Sequence, residues 1–227
     1  MSLPEKPAFP VIDISPVISE RTGVFPGDTP FRRRVALDFK TGDNLVLSSV
    51  TSTLHIGAHA DGPSHYAADG ESIEQRDLRL YMGSCLVLVA KGQQPGERIS
   101  WKHLEPRWFA MRELPAPRIL IRTDSFPDPD HWNSDFNSLD PDLILGLSER
   151  GAKLIGIDTP SIDPESSKLL EAHQAVAICN LAVLEGIVLT GVKEDLYTLI
   201  ALPLRLENCD AAPVRAILLQ GVGRLDS

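Results

Sequence analysis

The chain has 227 residues, 43% of them hydrophobic and 23% charged, with a formal net charge of −9. That length allows one sizeable core, read here as a single domain over residues 1–227, and the composition argues against a disordered or fibrous class. No apolar run reaches the roughly 20 residues needed to cross a bilayer, the N-terminus lacks the pattern of a secretory signal, and the acidic balance repels phosphate backbones. A cytoplasmic protein with no membrane or nucleic-acid partner is therefore expected. Cys85, Cys179 and Cys209 are odd in number and form no CxxC pair, which argues against a disulfide framework or a thiolate zinc site.

In chain order, "RVALDF" (34–39) and "NLVLSSVTS" (44–52) alternate apolar with polar residues and predict strands. "HIGAHADGPSH" (55–65) predicts a loop, because Gly57, Gly62 and Pro63 exclude a regular helix. "CLVLVA" (85–90), "RILIRT" (118–123), "KLIGID" (153–158) and "GIVLTG" (186–191) are short apolar runs of the buried-strand type. A short helix is expected within 95–110, and the proline-rich 123–140 reads as an ordered surface loop. Asp140, Pro141 and Gly151 mark the start and stop of one helix. Asp163 and Pro164 predict a second over 163–174, and 197–206 and 214–221 complete the strands. Helices between apolar strands are the pattern of crossover connections, so the fold class is mixed α/β and strand-rich.

The loop at 55–65 gathers three of the six histidines around one aspartate. Neutral imidazoles and a carboxylate converging on one point suit zinc or a neighbouring divalent ion, whereas protonated imidazoles at that distance repel. His55, His59 and Asp61 are the candidate metal ligands of this segment. One segment seldom closes a metal site, and His173 and Glu185 are the candidate donors elsewhere. Glu185 lies inside the apolar stretch "QAVAICNLAVLEGIVL", where it either ligates a metal or turns to solvent at a strand entry. Five donors exceed what one tetrahedral zinc needs and point to two ions bridged by carboxylates, with His65, beyond Pro63, left free as a proton carrier. A catalytic serine is the competing chemistry, but no GxSxG elbow is present. His103 and His131 read as solvated, and Trp101, Trp108 and Trp132 as packing residues or, alternatively, a pocket wall. Asp158 is either a partner of a ligand histidine or a turn residue.

The motif HxGxHxDxPxH, met here by His55, Gly57, His59, Asp61, Pro63 and His65, resembles that of the cyclase-like metal-dependent hydrolases, and Ala58 resembles their bacterial kynurenine formamidase branch. "DISPVISERTGVFPGDTPF" (13–31), "GIDTPSID" (156–163), "LEGIVL" (184–189) and "LPLRLENCDAAPVRAIL" (202–218) extend the resemblance over nearly the whole chain. It implies a swivelling β/β/α fold, a homodimer, and two zinc ions per subunit, manganese or another divalent ion being an alternative. His55, His59 and Asp61 would bind the first ion, Asp61 and Glu185 would bridge, His173 would bind the second, and His65 would act as acid and base. The implied reaction is hydrolysis of N-formyl-L-kynurenine to L-kynurenine and formate in tryptophan breakdown. Phe25 stands where the formamidases carry a tryptophan against the aromatic substrate, and it still offers a face for stacking. Alternative readings are an enzyme of the same family acting on another small amide or lactam such as isatin, and a metal-stabilised binding protein.

Overall fold

The computed structural model describes residues 10–220. Its strands are β1 (Val11–Asp13), β2 (Arg32–Leu37), β3 (Leu47–Thr51), β4 (His59–Asp61), β5 (Met82–Val89), β6 (Arg98–Ile99), β7 (Arg118–Arg122), β8 (Ser138–Leu139), β9 (Leu154–Ile157), β10 (Ala182–Glu185), β11 (Leu196–Ile200), β12 (Ala211–Pro213) and β13 (Ile217–Leu219). The α-helices are α1 (Pro106–Ala110), α2 (Pro141–Glu149) and α3 (Glu171–Cys179). Nine strands form one sheet in the order β1-β13-β11-β5-β7-β9-β10-β4-β12, while β2-β3 and β6-β8 are separate pairs.

The centre of the large sheet, β5-β7-β9-β10, is parallel, and its flanks are antiparallel. Parallel neighbours need a crossover, and α2 and α3 supply it between β7, β9 and β10. Because side chains alternate along a strand, the apolar runs feed two cores at once. Leu86, Leu88, Ile119, Ile121, Ile155, Ile157 and Val183 pack on the side of α2 and α3 with Leu143, Leu147 and Val176. Cys85, Val87, Leu120, Leu154 and Leu184 pack on the other side with Leu199 and Leu218. Burial on both faces is why these strands read as unbroken apolar sequence.

Helix α2 starts where its sequence predicts. The Asp140 carboxylate accepts from the Asp142 amide, Pro141 occupies the first turn, and Gly151 follows the helix end at φ 92°. Three of the differences from the sequence reading bear on the site. The strand expected over 186–191 lies earlier, at β10, because Gly186 takes φ 63° and breaks the run directly after Glu185. The helix expected from Asp163 begins at Glu171, after Leu170 in the left-handed region, which places His173 in its first turn rather than at its end. The loop at 55–65 contains a buried strand, β4, too short to show a period of its own. Among the described residues, no helix is long and apolar enough to cross a membrane.

Candidate metal centre

Strand β4 lies between β10 and β12, with His59 opposite Glu185 and Asp61 opposite Val183. Residues directly opposite in an antiparallel pair share a face, and His59 and Asp61, two apart, share it too. Val183 belongs to the core on the side of α3. His59, Asp61 and Glu185 therefore project to that side, while Ala58 and Ala60 fill the other core. From α3, His173 completes the group, and His55 enters from the loop ahead of β4.

The contacts converge. His59 Nε2 lies 3.4 Å from Asp61 Oδ1 and 3.3 Å from Glu185 Oε2. His173 Nε2 lies 3.2 Å from Asp61 Oδ2 and 3.4 Å from Glu185 Oε1. His55 Nδ1 lies 3.2 Å from Asp61 Oδ1. Each of these three rings has its other nitrogen anchored: His59 Nδ1 on the Gly57 carbonyl at 3.0 Å, His173 Nδ1 on Asp163 Oδ2 at 2.9 Å, and His55 Nε2 on Asp210 Oδ2 at 3.0 Å. Glu185 Oε1 also accepts from the Ile162 amide at 2.7 Å. The three imidazoles thus present their remaining nitrogens to two buried carboxylates.

In the protein alone these charges lean on one another. Burial opposes ionisation of His55, but hydrogen bonds to Asp61 and Asp210 outweigh it and raise its pKa to about 9. Burial likewise opposes the charge of His173, and Asp163, Asp61 and Glu185 overcome it and raise its pKa. Asp61 is held well below the usual carboxylate range, against its own desolvation, by His173 and His55. For Glu185, burial and the charge of Asp61 push upward, and the hydrogen bonds from His173 and His59 win, lowering its pKa.

A cation suits this set on chemical grounds. His59 Nε2 and Asp61 Oδ1 are buried without a well-aligned hydrogen bond, although each lies 3.2–3.4 Å from facing ligand atoms. The nitrogens and oxygens of His55, His59 and Asp61 fall within 4.8 Å of one another, as do those of Asp61, His65 and His173. Imidazole and carboxylate donors match zinc, manganese and similar divalent ions.

His65 stands at the rim. It follows Pro63 in a 3₁₀ turn, its side chain is 32% exposed, and its ring centroid lies 4.1 Å from that of His55 and 5.8 Å from that of His173. Burial lowers its pKa, partly countered by the charge of Asp61. His55, His59, His65, His173 and Glu185 border a cavity of about 490 Å³ whose wall includes Phe25, Phe126 and Trp132. Phe25 is 44% exposed, so core packing does not explain it, and it meets Trp132 edge-on with ring centroids 5.5 Å apart.

All six polar residues singled out from the sequence meet at one place, and Phe25 lines the same cavity. Asp163 and Asp210 were not singled out for it, and Trp132, weighed between packing and a pocket wall, lines the cavity. Asp163 reads as a helix cap, and it does accept from the Ala172 and His173 amides at 3.0 Å, but of a helix that begins eight residues later. Asp210 gives no signal beyond its place in "ENCDAAP". Asp158 is a turn residue: its carboxylate accepts from the amides of Thr123 and Asp124 at 2.9 Å. His131 is exposed beside Asp128, as expected, whereas His103 is buried and accepts from the Ser100 amide at 3.0 Å.

Comparison with known proteins agrees with this geometry. The Cyclase family model matches residues 12–164. A kynurenine formamidase from Delftia acidovorans is 44% identical over 206 residues, covering 91% of this chain and 95% of that one. The chain belongs to the cyclase family. Isatin hydrolase A from Labrenzia aggregata, solved with benzyl benzoate, superposes with a TM-score of 0.80 at 20% identity over 93% of this chain and 94% of that one. A structure described as a potential metal-dependent hydrolase with cyclase activity gives 0.79 at 22% identity over 95% of this chain and all of that one. At those identities the likeness is one of fold, and it is the cyclase-like fold expected from the motif.

One close approach fixes the centre mechanically. Gly186 sits at φ 63°, and a Cβ there would lie 2.0 Å from the Gly57 carbonyl oxygen, the same atom that anchors His59. Gly191 has φ 79° with nothing within 4 Å of such a Cβ. Both alanine variants incur backbone strain of about 1 kcal/mol, but only Gly186→Ala must also move the histidine loop. Urea denaturation should find Gly186→Ala about 2 kcal/mol or more less stable than Gly191→Ala; equal losses would show that the contact is slack.

Proposed function

We propose that this protein hydrolyses N-formyl-L-kynurenine to L-kynurenine and formate with the help of two divalent ions, zinc in the first instance. The observation that carries the reading is the meeting of three anchored imidazoles and two buried carboxylates beside an aromatic-walled cavity, in a chain 44% identical to a kynurenine formamidase. His55, His59 and Asp61 would hold one ion, His173 the other, and Asp61 and Glu185 would touch both. When bound, such ions polarise the formyl oxygen and make water a competent nucleophile near neutral pH.

The chain's own groups do the rest. Water oxygen adds to the formyl carbon, the carbon–nitrogen bond breaks, and the departing anilide nitrogen must receive a proton. We assign that transfer to His65. Its Nδ1 lies 3.5 Å from Asp210, which leaves Nε2 as the atom that takes a proton and returns it. Burial lowers its pKa, which favours the free base. Phe25, Phe126 and Trp132 offer ring faces and edges to an aryl group and exclude water from it. Trp132 supplies indole surface in the same wall where Phe25 replaces the family tryptophan. Its Nε1 is already engaged with Glu165 at 2.6 Å.

Turnover of N-formyl-L-kynurenine, isatin and a simple aryl ester, each with and without a chelator, tests the reading. Formylkynurenine should be preferred, with activity lost on chelation and restored by zinc, and His65→Ala should lower kcat by roughly 10²–10⁴ while metal stays bound. Preference for isatin would overturn the substrate. Unfolding on chelation with no turnover of any substrate would instead favour a metal-stabilised binding protein.

We also infer that two copies pair through the β2-β3 hairpin. It lies apart from the large sheet and exposes Val35, Leu47 and Val50 at 40%, 53% and 62%. A two-stranded hairpin is marginal alone, and such apolar exposure marks a contact surface. Light scattering after size exclusion should give a dimer for the wild type and a monomer for Leu47→Glu/Val50→Glu; a monomeric wild type would contradict the pairing.

A further inference from the structure

We propose that Asp210 is a positioning residue shared by two imidazoles with different tasks, orienting His55 for metal binding and His65 for proton transfer. This rests on the hydrolase reading above. One carboxylate oxygen, Asp210 Oδ2, lies 3.0 Å from His55 Nε2 and 3.5 Å from His65 Nδ1. The two rings lie 4.1 Å apart, tilted by 40°, so a single acceptor reaches both.

The backbone places this carboxylate independently of the rings. The Gly62 amide donates to the Asp210 carbonyl at 2.7 Å, the Ile73 amide donates to the Cys209 carbonyl at 2.9 Å, and Ala211 opens strand β12 opposite Asp61. A residue 155 positions from His55 is thereby pinned to the motif loop. The Asp210 side chain is 48% exposed, so its ion pairs add little to stability. Its effect lies in which nitrogen of each ring carries the proton. A proton on His55 Nε2, donated to Asp210, leaves the Nδ1 lone pair facing Asp61. A proton on His65 Nδ1, held toward the same oxygen at 3.5 Å by charge attraction, leaves Nε2 open to take one from water or give one to the anilide nitrogen. His59 and His173 have separate anchors, the Gly57 carbonyl and Asp163, so among the described ring anchors it is Asp210 that links a metal-facing ring to the proton carrier.

A double-mutant cycle of Asp210→Ala and His65→Ala separates the two tasks, read by competition titration with zinc and by kinetics at saturating zinc. Asp210→Ala should weaken zinc binding about 10–100-fold in both backgrounds, through His55. It should lower kcat about 10–100-fold with KM changed less than about threefold when His65 is present, and less than about twofold further when His65 is absent. Asp210→Glu should recover part of both losses, which a purely structural defect would not. Unchanged zinc affinity, or an undiminished kcat loss in the His65→Ala background, would overturn the proposal. A wild type that binds zinc but turns over no formylkynurenine would instead overturn the hydrolase reading, and with it the His65 half alone.

Discussion

Everything near the centre depends on two carboxylates, Asp61 and Glu185, buried against the same pair of imidazoles. Two like charges without water are costly unless positive charge lies between them. In the protein alone the neighbouring imidazoles answer it in part, since the carboxylates raise the pKa of His55 and His173 against the effect of burial. A divalent ion meets the demand with the imidazoles neutral. The fold is arranged to create this demand. The register of β4 against β10 sets His59 opposite Glu185, β12 closes the outer edge of β4, and α3 starts late enough to bring His173 in on its first turn.

Much of this was legible in the sequence, for physical reasons that differ by element. The parallel strands announced themselves because burial on both faces leaves only apolar residues, and α2 because Asp140, Pro141 and Gly151 fix its ends. The motif histidines were legible because so many ligand-type side chains in one glycine-rich segment have few other uses. Glu185 was ambiguous, since a carboxylate next to a glycine can turn to solvent; the pairing of β10 with β4 turns it inward. The boundary of β10 was misplaced because apolar character continues through Ile187, Val188 and Leu189 while the left-handed Gly186 ends the strand.

What the sequence concealed is the outer layer around the centre. Asp163 and Asp210 act at distances of 10 and 155 positions from the histidines they hold, and no local periodicity encodes such pairs. Trp132 lies in a proline-rich loop whose composition says only that it is surface structure. It reaches the cavity because its ring packs against Phe25, Phe126 and Phe136. The aromatic wall is therefore assembled from two distant loops, and it carries indole surface although position 25 is a phenylalanine.

Zinc K-edge absorption on the zinc-loaded protein, with metal content measured on the same sample, tests the centre most directly. About two ions per chain should be found in an all-nitrogen-and-oxygen shell at about 2.0–2.1 Å with imidazole scattering beyond it, and Glu185→Gln should disrupt that shell. Sulfur ligation near 2.3 Å, or a shell indifferent to Glu185→Gln, would contradict it.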